Sequence, residues 1–327
     1  MRTIDVFNGD ADGLCALHQL RLAEPADSEL VTGLKREIGL LERVTAGAGA
    51  RVTVLDVSLD RNRAALERLL AAGAQVRYID HHHAGALPVH PRLELQIDTS
   101  PRLCTSLLVD RLLGGRFAAW AIVGAYGDNL RTVAEAKAQA QGFDAAKAAV
   151  LAELGEAINY NAYGETVADV AIHPRELYLR LRRFADPFAF HADDPIVATL
   201  VGRRRDDLAR AAAVGPRVAD DRVAVIELPD AAWSGRVLGT FAHQLAIHRP
   251  QRAHAVLRAR ADGRFTVSLR APLASPCGAD ALARRFGGGG RAGAAGIDGL
   301  PAAQVDALIA ALRAADWRCG DDAPGGP

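Results

Sequence analysis

Short apolar runs alternate with stretches of helical spacing through the first 130 or so residues. Ile4 to Phe7 reads as a strand, and Leu14, Leu17 and Leu20 then recur at helical spacing until Pro25. Leu30-Val31-Thr32, leading to Lys35-Arg36, is a second candidate strand, and Val52 to Leu55 is a clear third, ending on Asp56. Asp60 to Ala72 has helical spacing and is closed by Gly73. Val76 to Ile79 is a strand that ends on Asp80, and Leu93 to Ile97 alternates up to Asp98. Thr105 to Leu113 is helical, and the apolar run Phe117 to Ala125 leads to Gly127-Asp128-Asn129. Alternating strands and helices predict a parallel sheet with helices on both faces.

From Thr132 to Ala212 the spacing is helical throughout, and Arg203-Arg204-Arg205 reads as a solvated face. A second α/β pattern follows. Val223 to Leu228 is a strand, Gly235 to Ile247 a helix and Ala253 to Ala259 a strand. Ala261-Asp262-Gly263 supplies turn chemistry before Phe265 to Arg270. Ala279 to Phe286 is helical and opens into a glycine-rich run, and Pro301 to Trp317 is a last amphipathic helix. The predicted organisation is an α/β chain: an N-terminal parallel-sheet domain with a helical extension over 1–185 and a helical linker over 186–215. A smaller α/β domain over 216–319 and a disordered tail over 320–327 complete it.

Composition changes this picture little. Hydrophobic residues make up 50% of the chain but aromatics only 5%, so the core must be mostly Ala, Leu and Val. With 39 basic and 39 acidic residues, bulk charge does not suit a protein that coats long nucleic acid, although a local basic groove remains compatible. Cys15, Cys104, Cys277 and Cys319 are scattered, which fits reduced thiols better than a disulfide framework. The N-terminus runs straight into a strand, and no stretch of about 18 apolar residues occurs. The expectation is a soluble cytoplasmic protein without a membrane partner.

The chemistry concentrates at predicted strand ends. Asp10 and Asp12 follow the first strand, Asp56 the third, and Asp80-His81-His82-His83 the next, while the apolar run before Asp128 adds a further carboxylate. In open α/β sheets, ligands bind at the carboxyl ends of strands. Carboxylates crowded there repel one another unless cations neutralise them, and oxygen ligands mixed with an imidazole suit Mn²⁺ or Mg²⁺. Each aspartate taken alone reads equally well as a turn former or a helix N-cap.

These residues resemble the DHH phosphoesterases, whose name-giving motif stands here as Asp80-His81-His82. The resemblance extends to Asn8-Gly9-Asp10-Ala11-Asp12-Gly13, Asp56 and Gly127-Asp128. Gly288 to Gly296 is similar to the glycine-rich signature of the DHH-associated domain. It implies a phosphoesterase with two Mn²⁺ ions (Mg²⁺ or Co²⁺ as alternatives) and an active site in the cleft between the two domains. Asp10 and Asp56, with Asn8 as a weaker ligand, would hold one ion. Asp12, Asp56, His81 and Asp128 would hold the other. His82 would contact the scissile phosphate, with Asp80 holding an imidazole in its metal-binding tautomer, and His83 has no assigned role. Asn8 stands where relatives commonly carry His or Asp, and Arg291 replaces a motif histidine. Gly288, Gly289 and Gly290 with Arg291, and more weakly Arg270, would bind substrate anion. The implied substrate is a short single-stranded oligonucleotide or related nucleotide phosphoester. The alternatives are a RecJ-like single-strand exonuclease, a cyclic-dinucleotide phosphodiesterase or a non-hydrolytic nucleotide binder. A homodimer is compatible with all of these.

Overall fold

The computed structural model describes residues 2–319, so the tail expected over 320–327 lies outside the described residues. The chain divides into two compact units, one up to Arg203 and one from Arg204 onward.

The first unit is built on a five-stranded sheet. Its strands are β1 (Thr3–Asn8), β2 (Glu29–Gly33), β3 (Arg51–Leu55), β4 (Gln75–Asp80) and β5 (Leu93–Ile97), in the spatial order β2-β1-β3-β4-β5. All four pairings are parallel. Phe7, Leu55 and Ile79 point to one face, where they pack with Leu14, Leu17 and Trp120. Ile4, Val6, Val54 and Tyr78 point to the other and meet Leu59, Leu66 and Leu69. The first face is therefore covered by α1 (Ala11–Ala23), α3 (Thr105–Leu112) and α4 (Ala118–Gly127), the second by α2 (Leu59–Ala71). Right-handed crossovers place α1 and α2 on opposite faces because the chain steps outward from β1 to β2 and then returns to build β3 and β4 on the other side. That reversal puts a topological switch point between β1 and β3.

The apolar run before Asp128, whose periodicity leaves its secondary structure open, is helix α4, and Asp128 is its C-cap. Helices α5 (Arg131–Ala140), α6 (Ala145–Asn161), α7 (Pro174–Leu181), α8 (Pro187–Asp193) and α9 (Pro195–Ala212) follow, as the spacing predicts.

The second unit has a six-stranded sheet. Its strands are β6 (Pro216–Ala219), β7 (Val223–Leu228), β8 (Ala253–Ala259), β9 (Arg264–Arg270), β10 (Gly289–Arg291) and β11 (Ala294–Pro301), in the order β10-β11-β9-β8-β7-β6. Only β7 and β8 run parallel, joined through α10 (Ala232–His248). Val225, Leu257, Val267, Leu269 and Ile297 form its core with α11 (Ala279–Arg284) and α12 (Val305–Ala314). The expectation of four reduced thiols needs correction. Cys15 and Cys104 are free and buried, but Cys277 and Cys319 form a disulfide across 42 residues, with their Cα atoms 5.3 Å apart. After α12 the chain returns to the loop before α11, where the Trp317 carbonyl accepts from Ser275 Oγ, and this meeting cannot be read from spacing.

Arg236 on α10 and Asp207 on α9 form an ion pair at 2.7 Å whose side chains are only 7% and 5% exposed. Removing Arg236 would leave the buried Asp207 carboxylate to the more distant and exposed Arg210 guanidinium at 3.5 Å. Arg236→Met is expected to lower unfolding free energy by about 1–3 kcal/mol in urea titration. The double variant Asp207→Leu/Arg236→Met should recover most of that loss, and a double variant no more stable than the single one would contradict this account.

Candidate metal centre

Two helix starts and two strand ends build the cluster. Asp10 caps α1: its Oδ1 accepts from the backbone N–H groups of Asp12 and Gly13, both at 3.1 Å. Gly13 permits this turn because a Cβ there would lie 2.2 Å from the carbonyl oxygen of Asn8. The N-cap reading of Asp10 thus holds alongside the metal reading. Asp12, in the first turn of α1, points at the N-terminus of α3. Its Oδ2 accepts from Thr105 N at 2.7 Å, and its Oδ1 accepts from Ser106 N at 2.7 Å and Ser106 Oγ at 2.6 Å.

Asp56 follows β3 with φ +59, the left-handed region that side chains seldom adopt. Its backbone N–H donates to the Ile79 carbonyl at 3.2 Å, its Oδ1 accepts from Thr105 Oγ1 at 3.2 Å, and its Oδ2 is buried without a hydrogen-bond partner. Asp80 ends β4. Its Oδ1 is 2.7 Å from His82 Nδ1, and its Oδ2 is likewise buried and unpartnered. His81 donates through Nδ1 to the Leu103 carbonyl at 3.0 Å, which turns Nε2 toward the carboxylates. That nitrogen lies 3.4 Å from Asp56 Oδ1 and 3.9 Å from both Asp12 Oδ2 and Asp128 Oδ2.

Carboxylate oxygens gathered around one imidazole nitrogen repel one another unless positive charge lies among them. Ligand atoms held about 2.1 Å from one small divalent ion sit about 3 Å apart, so a slight contraction completes a shell. Asp56, His81 and His82 also offer donor atoms within 4.8 Å of one another. The residues present therefore fit a divalent ion.

The electrostatics agree. Burial, followed by the charges of Asp10, Asp12, Asp80 and Asp128, pushes the Asp56 carboxyl well above the aspartate range. Burial also raises Asp128 to about 6, with Lys35 opposing and Asp12 adding to the rise. Asp10 goes the other way: burial would raise it, but the Lys35 ammonium at 2.6 Å brings it below the ordinary range. For His82, burial disfavours the charged ring, yet the hydrogen bond and charge of Asp80 outweigh it and raise the imidazole.

Asp10, Asp12, Asp56, Asp80, His81, His82 and Asp128 thus converge, as their strand-end and loop positions predict. Asp80 holds His82 rather than His81, whose tautomer is set by a backbone carbonyl. Asn8 ends β1 with its Oδ1 buried and unpartnered. His83 is exposed and contributes only its carbonyl, to Ser58 Oγ. The sequence reading missed Lys35, Thr105 and Ser106. Lys35 does follow a predicted strand, and Thr105-Ser106 does open a predicted helix, which are the positions that reach this edge.

Arg291, Gly288, Gly289, Gly290 and Arg270 belong to the second unit. The glycine run forms the β10–β11 hairpin, with Arg291 paired to Ala294 and exposed. Gly290 is required because a Cβ would meet Ala295 Cα at 2.5 Å. Arg270 braces α10 by donating to the Gly239 carbonyl at 3.1 Å, and it also donates to Ser268 Oγ at 2.9 Å.

Among solved structures, the chain is similar to RecJ from Thermus thermophilus in complex with Mn²⁺, with 21% identity and a TM-score of 0.64. The match covers 96% of this chain and 51% of that one, so the chain spans about half the length of this RecJ. A second manganese-bound exonuclease RecJ matches with 20% identity and a TM-score of 0.60, over 96% of this chain and 89% of that one. The fold is that of the DHH phosphoesterases. The pGpG-specific phosphodiesterase PggH from Vibrio cholerae shares this DHH fold, with 16% identity and a TM-score of 0.54 over 96% of this chain and 99% of that one. No family model and no curated protein matches the chain. No helix among the described residues is long and apolar enough to cross a membrane.

Raised carboxyl pKa values carry a stability consequence. Above about pH 4 the metal-free fold retains protons on Asp56 and Asp128 that the unfolded chain releases, so its stability falls as pH rises to about 6 and beyond. The gain in Tm on adding Mn²⁺ should therefore be larger at about pH 8 than at about pH 5. Asp56→Asn is expected to raise the Tm of the metal-free protein at about pH 8 and to abolish the Mn²⁺-dependent gain. A lower metal-free Tm in this variant would contradict charge repulsion at Asp56.

Proposed function

We propose that the chain is a metal-dependent phosphodiesterase that hydrolyses short single-stranded oligonucleotides or related nucleotide phosphoesters. The observation that carries this reading is the ring of Asp12, Asp56 and Asp128 oxygens within 3.9 Å of His81 Nε2, with His82 alongside. Mn²⁺ is the favoured ion, because two manganese-bound RecJ structures share the fold and the donor set mixes carboxylates with imidazole.

When bound, a divalent ion there supplies Lewis-acid charge and makes water easier to deprotonate. The chain's own groups supply the rest. Asp80 holds His82 Nδ1 at 2.7 Å and raises the affinity of the ring for a second proton, and in that protonated form Nε2–H can donate to a phosphoryl oxygen. His82 is 43% exposed at its side chain, which is compatible with reaching a substrate phosphate. Thr105 and Ser106 fix Asp12 so that its carboxylate need not reorganise during turnover.

Short substrates are favoured by the neutral overall charge and by the fold shared with a pGpG-specific phosphodiesterase. That neighbour also supports a linear dinucleotide as the first compound to assay. The test is a Mn²⁺-supplemented panel of a dinucleotide, a longer single strand, a cyclic dinucleotide and a nucleoside bisphosphate. The dinucleotide should give the highest kcat/KM. Fastest turnover of the longer strand would favour a RecJ-like exonuclease, and Mn²⁺ binding without any hydrolysis would favour a binder.

His82→Gln should lower kcat by about 10²–10⁴-fold while leaving Mn²⁺ affinity nearly unchanged. In the native protein, kcat should fall as pH rises through the elevated His82 pKa. Asp80→Asn removes the cause of that elevation, so the falling limb should move to lower pH. An unmoved limb would exclude His82 as the group that titrates.

A further inference from the structure

A cation from the chain itself already occupies one end of the cluster. Lys35 lies just beyond the C-terminal end of β2, next to β1, and its Nζ is 2.6 Å from Asp10 Oδ2. The other Asp10 oxygen is taken by the N–H groups of Asp12 and Gly13. The ammonium does not merely hang near the carboxylate. It donates to Asn159 Oδ1 at 3.2 Å and sits 5.3 Å from the centre of the Tyr163 ring, while the Lys35 backbone N–H donates to the Ala162 carbonyl at 3.0 Å.

A small divalent ion bonds a carboxylate oxygen at about 2.1 Å. On Asp10 Oδ2 it would have to share that oxygen with an ammonium at hydrogen-bond distance, a like charge with little water between to screen it. Admitting the ion would require Lys35 to leave Asp10 and give up its bond to Asn159. The other end of the cluster differs. The side-chain groups that approach His81 Nε2 there are the carboxylates of Asp12, Asp56 and Asp128, at 3.4 to 3.9 Å.

We propose that the centre binds a single divalent ion, at Asp12, Asp56, His81 and Asp128, and that Lys35 provides the positive charge beside Asp10 in place of a second ion. This rests on the metal-dependent reading above and replaces the two-ion expectation carried by the family resemblance. Lys35 thereby keeps a fixed positive charge at the Asp10 end of the cluster.

The experiment counts ions rather than turnover. The full-length protein, dialysed against saturating Mn²⁺ and measured by plasma mass spectrometry, should hold one ion per chain, and its electron paramagnetic resonance spectrum should be that of an isolated ion. Two ions per chain, or an exchange-coupled pair, would overturn the proposal and leave the metal-dependent reading intact. No bound ion would overturn both. Lys35→Met keeps most of the side-chain stem and removes the charge, so it should admit a second ion and produce exchange coupling. A folded Lys35→Met protein that still holds one ion would overturn the role given to Lys35. The count on the unsubstituted protein decides the matter even if that variant does not fold.

Discussion

The first unit depends on a repulsion that its own fold creates. Asp56 adopts a left-handed backbone conformation, is itself buried, and faces Asp10, Asp12, Asp80 and Asp128. Strained backbone costs on the order of 1–3 kcal/mol, and an unpartnered buried polar oxygen adds a desolvation cost of about the same size. Such a residue persists because the surrounding structure overdetermines it. Here the overdetermination is the pairing of β3 with both β1 and β4, with Asp56 N–H donating to the Ile79 carbonyl just past the register.

The position of the cluster follows from topology before any side chain is considered. The chain reverses its direction of sheet growth at β1, which opens a crevice between the ends of β1 and β3. Asp10 and Asp56 stand at those two ends, and Asp80 at the end of the next strand. Two helix N-termini also point there, and their N–H groups account for most of the bonds to Asp10 and Asp12. The backbone therefore offsets part of the negative charge, but only at those two carboxylates.

Most of this was legible in the sequence because strand ends are punctuated. Asp56 and Asp80 each end an apolar run and Asp12 opens a helical one, so the sheet edge could be assembled from pattern alone. The groups that escaped are those whose role depends on chain crossings. Lys35 is one basic residue after an edge strand, and only the pairing of β2 with β1 carries it to Asp10. Thr105 and Ser106 look like ordinary helix starters until α3 meets Asp12. Cys277 and Cys319 are far apart in sequence and are brought together by the return of the chain after α12. The helical form of the run before Asp128 was also hidden, since a short apolar stretch has no period to separate helix from strand.

The cluster is asymmetric, and the asymmetry organises the chemistry. Asp10 and Asp12 are saturated with hydrogen bonds, whereas Asp56 and Asp80 each keep a buried oxygen without a partner. Demand for positive charge is thus greatest along the line from Asp56 to Asp80, where His81 and His82 stand with ring centres 4.5 Å apart. The two rings meet that demand in different ways. His81 is held by a carbonyl that takes a hydrogen bond from Nδ1 and turns Nε2 inward, while His82 is held by a carboxylate that favours a second proton. Adjacent residues of one type become a metal donor and a phosphate donor because their Nδ1 partners differ, a neutral carbonyl for one and a buried anion for the other.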